Sequence, residues 1–168
     1  MLDWIGIEDQ TCVEVGVQDG IFSTEILRRK PKMLFLVDPW VHQPPEIYPE
    51  RSNRSESEFA VTYQKILDKF AKHRNITILR EFSIKAAKQI KQKLDFVYID
   101  AIHTYESCSA DIRAWYPKLR NGGWLAGHDY TNYRGVRQAV DEFVAEKKLD
   151  DLRKTSEKCA ASWFLQKP

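Results

Sequence analysis

Residues 12–29 read CVEVGVQDGIFSTEILRR. The opening Cys12–Val17 is a short apolar run closed by glycine, which predicts a strand. Ile21, Phe22, Ile26 and Leu27 follow near helical spacing and predict a helix over Ile21–Arg29. Gly16 and Gly20 flank the turn between them. Glycine lets the backbone turn tightly and lets a ligand approach it closely. The helix that follows aims its N-terminus at the same spot. Taken alone, this is also what an ordinary strand–turn–helix connection looks like.

The same alternation continues outward. Met33–Val37 is almost purely apolar and predicts a strand buried on both faces. Phe59, Tyr63, Ile66, Leu67 and Phe70 share one helical face. Ile76–Leu79 and Phe96–Ile99 read as strands. Between them, Ile84–Ile90 reads as a short helix capped by Ser83. Tyr105–Tyr116 is a helix stopped by Pro117. Asn121-Gly122-Gly123 is a turn before a strand at Trp124–Ala126. Gly135–Lys147 is a helix with Val136, Ala139, Val140 and Phe143 inward. Leu152–Thr155 and Ser162–Leu165 are two last strands joined by a short turn, so they run antiparallel. Strands alternating with helices predict a Rossmann-like α/β three-layer sandwich over residues 1–168. Its seven-stranded sheet is mostly parallel, with a reversed last strand.

The hydrophobic fraction of 43% and charged fraction of 30% suit one globular domain. A net charge of +2 offers no basic patch of the kind that predicts a nucleic-acid partner. Three cysteines without metal-ligand spacing fit a reducing compartment. No signal peptide or membrane-spanning run is visible, so the expectation is a cytoplasmic protein without a membrane partner.

In an open parallel sheet, ligands bind beyond the carboxyl ends of the strands. Asp38 stands there, just past the second strand and roughly 20 residues after the glycine turn, where an acid can accept from both ribose hydroxyls. Ser83, past the third strand, is a candidate for an adenine edge. Glycine turn and acid together indicate an adenosine-containing cofactor. Three features favour S-adenosylmethionine over a nicotinamide. Glu14 at the start of the turn suits a cationic sulfonium and an amino group. The third glycine of the dinucleotide fingerprint is missing. The sheet ends in an antiparallel pair. The candidate cofactor residues are therefore Glu14, Gly16, Gly20, Asp38, Ser83 and Asp100.

These segments resemble the class I S-adenosylmethionine-dependent methyltransferases, and among them the small-molecule O-methyltransferases of the macrocin and catechol type. The matching segments are Val13–Gly16, Val37–Trp40, Asp95–Glu106, Trp115–Gly123 and Ala126–Tyr130. The resemblance implies transfer of a methyl group to a small-molecule or glycosidic hydroxyl. In metal-dependent relatives, acids matching Asp100 and Asp129 bind the metal, and the position of His128 is often an acid. The proton acceptor of macrocin-type relatives falls on Ile102, which cannot accept a proton. A catechol-type lysine falls on His103.

Adjacent parallel strands ending at Asp100 and at His128-Asp129 bring these side chains together. Asp100, His128 and Asp129 form a candidate site for Mg²⁺ or Mn²⁺. Such an ion would lower the pKa of a substrate hydroxyl. His103, with a near-neutral pKa, is the candidate base beside Asp100. Two other readings stay open: a nicotinamide-dependent oxidoreductase, and a cofactor-binding module without catalysis, which Ile102 favours.

The long segment 39–57 carries Pro44, Pro45 and Pro49. The chain begins close to its first strand, so no N-terminal helices are expected to cover the acceptor. Segment 39–57 is the expected acceptor lid, with Trp40, Ile47 and Tyr48 as apolar cover. A second subunit, in a homodimer, is a candidate for completing it.

Overall fold

The computed structural model describes all of residues 1–168. A short helix α1 (Leu2–Ile5) precedes strand β1 (Thr11–Val15) and helix α2 (Ile21–Arg28). Strand β2 (Met33–Val37), helix α3 (Glu56–Phe70) and strand β3 (Ile76–Leu79) follow. Next come α4 (Ser83–Gln89), β4 (Leu94–Ile99) and α5 (Tyr105–Trp115). The chain closes with β5 (Leu119–Gly127), α6 (Arg134–Lys147), β6 (Arg153–Lys154) and β7 (Trp163–Gln166).

The strands form one seven-stranded sheet in the order β3-β2-β1-β4-β5-β7-β6. The first five pair in parallel, while β7 runs antiparallel to both β5 and β6. This is the mostly parallel sheet with a reversed last strand that the sequence predicts. Strand order reverses between β1 and β4, so a crevice opens where those two strands end.

Side chains alternate across the sheet because successive residues of a strand point to opposite faces. Val97 and Ile99 face a core with Trp115, Val136 and Val140 from α5 and α6. Phe96 and Tyr98 face a second core with Ile26, Ile66 and Phe70 from α2 and α3. The two cores on opposite faces make the three-layer sandwich. No helix is long and apolar enough to cross a membrane.

Three expectations change. Asn121-Gly122-Gly123 is not a turn before the strand but a bulge within β5, between the pairs Leu94–Leu119 and Phe96–Trp124. Gly122 supplies the positive φ of 76° there, and Lys167 brackets the bulge with backbone hydrogen bonds to Gly122 and Gly123. The long segment ends at Ser55 instead of Ser57. Ser55 accepts from the Glu58 N–H while the Glu58 carboxylate accepts from the Ser55 N–H, a capping box that starts α3 at Glu56. Ser83 does not cap α4, because Phe82 holds the cap position and Ser83 is the first helical residue.

Candidate active site

Beyond the ends of β1, β2 and β4 lies a cavity of about 510 Å³. Its floor is the turn after β1. Gly16 has φ 88° and lies so close to β4 that an added Cβ would sit 1.9 Å from the Asp100 carbonyl oxygen. The Gly16 N–H donates to the Val37 carbonyl and the Asp100 N–H to the Val15 carbonyl, tying the three strand ends together. Gly20, also proposed for the cofactor, faces away from this lining. It packs on Ile66 and Phe70 and supplies the left-handed start of α2.

Asp38 stands at the cavity wall. Its two carboxylate oxygens accept from the Gln18 N–H at 2.9 Å and the Trp40 N–H at 2.7 Å. These bonds orient both oxygens and leave further lone pairs for ribose hydroxyls. Burial raises its pKa and the two backbone donors oppose that rise. Glu14 also lines the cavity, fully buried, and accepts from the Ser23 hydroxyl. Burial pushes its carboxyl up to about 8, against the Ser23 hydrogen bond. A cation placed beside it would favour the charged form. An apolar-walled space, a glycine-made floor, the buried acid Glu14 and the half-buried acid Asp38 are compatible with S-adenosylmethionine.

The candidate reaction residues converge at the ends of β4 and β5. Asp129 takes φ 60°, which turns its carboxylate back towards β4. One ligand atom from each of Asp100, His103 and Asp129 falls within 4.8 Å of the others. His103 aims Nε2 between the two acids, 3.1 Å from Asp129 Oδ2 and 3.4 Å from Asp100 Oδ1. His128 sits beside them, with Nδ1 3.2 Å from Asp129 Oδ2 and 3.7 Å from Asp100 Oδ2. The two carboxylates are oxygen donors of the kind that suit Mg²⁺ or Mn²⁺, and an imidazole can join them only through a nitrogen that carries no proton. The set differs from the sequence expectation in placing His103 among the converging atoms and His128 at their edge.

Sequence reading missed Glu50. It lies on segment 39–55 and accepts twice from His103, from the backbone N–H at 2.9 Å and from Nδ1–H at 2.6 Å. No motif or spacing marks this residue. Burial disfavours a charged His103 ring, but hydrogen bonds to Asp100, Asp129 and Glu50 outweigh it and push the pKa up to about 12. The near-neutral value expected of His103 does not hold in this ring of acids. Burial also opposes charge on Asp129, yet hydrogen bonds from His103 and His128 hold its carboxyl well below the usual range. Tyr133 stacks on the His103 ring at 4.3 Å between centroids.

Segment 39–55 folds over the cavity, with Val41, Gln43, Tyr48 and Ser52 in its lining. Asn53 fastens it from within through Gln43 and Tyr48. Arg54 fastens it to the turn after β1 through a bidentate pair with Asp19. Of the three apolar residues expected to cover the acceptor, only Tyr48 lines the cavity. Trp40 is fully buried in the core, and Ile47 is 53% exposed.

A family described as a methyltransferase domain matches residues 13–130. An uncharacterized protein of Acanthamoeba polyphaga mimivirus is 24% identical over 148 residues, 83% of this chain. The match spans 61% of that viral protein's length. Among solved structures, the O-methyltransferase NovP superposes with a TM-score of 0.71 at 21% identity, covering 99% of this chain and 78% of its own. A Streptococcus mutans protein in complex with SAH gives 0.69 at 14%, covering 99% and 93%. An rRNA methylase from Streptococcus thermophilus gives 0.65 at 14%, covering 98% and 92%. A match over most of the chain, on a sheet of this order and with the acid and glycine in place, is decisive: the chain belongs to the methyltransferase-domain family and has the class I S-adenosylmethionine-dependent methyltransferase fold.

Proposed function

We propose that the protein transfers the methyl group of S-adenosylmethionine to a hydroxyl of a small or glycosidic molecule. The observation that carries this reading is the convergence of Asp100, His103 and Asp129 beside the cavity that Gly16 and Asp38 shape. Asp38 orients the cofactor's ribose, and Glu14 and Gly16 hold its methionine end. Asp100 and Asp129, flanked by His128, would hold a divalent cation. When bound, such an ion lowers the pKa of an acceptor hydroxyl. His103 holds a proton on each nitrogen where it donates to Glu50, Asp100 and Asp129, so it would take the acceptor's proton only where a cation, rather than Nε2–H, faces the two carboxylates. Most of the rate comes from holding acceptor oxygen, methyl carbon and sulfur in line. A small acceptor suits the charge distribution better than RNA does. The net charge is only +2, and Arg54 beside the cavity is paired with Asp19.

Chelation tests the reaction class. Methyl transfer to a panel of hydroxylated small molecules should stop in excess chelator and return with Mg²⁺ or Mn²⁺. Full turnover in chelator removes the cation. Transfer to rRNA alone removes the small-molecule acceptor.

Segment 39–55 is proposed as the acceptor lid, on the strength of its lining residues and the Glu50–His103 hydrogen bonds. Tryptic cleavage after exposed Arg51 should slow when S-adenosylhomocysteine and acceptor are both present. Equal cleavage rates with and without them would remove the lid.

A further inference from the structure

One buried acid in the cavity wall has no part in the chemistry above. Asp111 lies on α5 and is only 5% exposed. The Ser83 hydroxyl donates to its Oδ1 at 2.5 Å, and Trp115 Nε1–H donates to the Ser83 oxygen at 2.9 Å. Ser83 therefore has its single hydrogen committed to Asp111 and one lone pair filled by Trp115. It is poorly placed to read a base itself. Asp111 Oδ2, in contrast, has no partner within the chain and is not sealed from accessible space. The residue lines the cavity together with Phe82, Ser83, Ile84 and Ala110.

Position in the sheet says which part of the cofactor meets this wall. The order is β3-β2-β1-β4-β5. The reacting end lies at β4 and β5, and the ribose acid Asp38 lies at β2. The base must then extend to the remaining side, over the start of α4. There Phe82 and Ile84 are 44% and 37% exposed and offer apolar faces to a planar ring. A buried carboxylate oxygen at the edge of that space can only accept.

We propose that Asp111 selects the cofactor's adenine by accepting a hydrogen bond from its exocyclic amino group. This inference rests on the reading that the cavity holds S-adenosylmethionine. Burial raises the Asp111 carboxyl to about 6, against the Ser83 hydrogen bond, so it is mostly ionised and accepting at neutral pH. A 6-oxo purine would point a carbonyl oxygen at that carboxylate. A site built to hydrogen-bond one group rejects the analogue that lacks it.

Calorimetry of the full chain with S-adenosylhomocysteine and S-inosylhomocysteine tests the proposal. The wild type should prefer the adenosyl compound by about tenfold or more, the scale of a hydrogen bond to a charged group. In Asp111→Asn the amide oxygen can keep the Ser83 bond and turn its N–H groups to the cavity. That variant should lose the preference or invert it. Equal affinities in the wild type would overturn the assignment without any variant. So would an Asp111→Asn protein that melts like the wild type and keeps its preference. No binding of either compound would overturn the cofactor reading as well; binding without discrimination would overturn only the role of Asp111.

Discussion

Replacing Gly16 by alanine is expected to cost about 3–5 kcal/mol of stability, at the upper end of what single substitutions do. The added methyl would meet the Asp100 carbonyl oxygen at 1.9 Å, from a backbone at φ 88° that alanine adopts poorly. The neighbour is backbone in the β1–β4 pairing, not a flexible side chain that could swing away. Relief therefore requires the ends of β1 and β4 to part, which would also open the cofactor floor. Urea unfolding of the variant should show a sharply lower midpoint. Wild-type stability and wild-type cofactor affinity together would mean that the close approach of β1 and β4 is not real.

His103→Ala should lower the rate of the chemical step by roughly 10²–10⁴, the range of a proton-transfer residue. Cofactor affinity should change little, because Asp38 and Gly16 remain. Without added metal the variant should also be less stable. It leaves Glu50, Asp100 and Asp129 facing one another without the ring that donates to all three. Breaking a buried ion pair typically costs about 3–5 kcal/mol. A divalent cation should restore part of this loss, since any ligand of the native state stabilises it. Melting curves with and without Mg²⁺ check the second effect, and single-turnover kinetics check the first. A variant with wild-type turnover would remove His103 from the chemistry. Loss of cofactor binding would make the residue structural.

Local features were legible in the sequence. The short apolar runs Met33–Val37 and Phe96–Ile99 read as buried strands, and both lie in strands. That Gly16 and Asp38 line one cavity was legible because each sits a fixed distance from a strand end, and the sheet brings those ends together. The last hairpin followed from two strands with no room for a crossover. The start of α3 was legible in principle, since Ser55 and Glu58 stand at capping-box spacing.

Contacts that depend on a loop's path were not legible. Glu50 is 53 residues from His103 in the chain, and no periodicity connects them. The charge on His103 follows from Asp100, Asp129 and Glu50 together, and only the Glu50 share of it was hidden. Ser83 looked like a helix cap because serine before a helix usually is one. Its partner Asp111 reaches it only when α5 packs on α4. Trp40 looked like a lid residue because it follows a strand end and a proline. The positive φ of 42° turns its ring into the core instead, where Nε1–H donates to the Gln18 carbonyl.

The central claim is that S-adenosylmethionine binds over the β1 turn with its ribose on Asp38. Calorimetric titration of S-adenosylhomocysteine into the wild type and into Asp38→Ala tests it most directly. The wild type should bind one equivalent. The variant should bind about 10- to 150-fold more weakly, matching the roughly 1.5–3 kcal/mol of a hydrogen bond to a charged group. Equal affinity in a folded Asp38→Ala protein, or no binding by the wild type, would contradict the account.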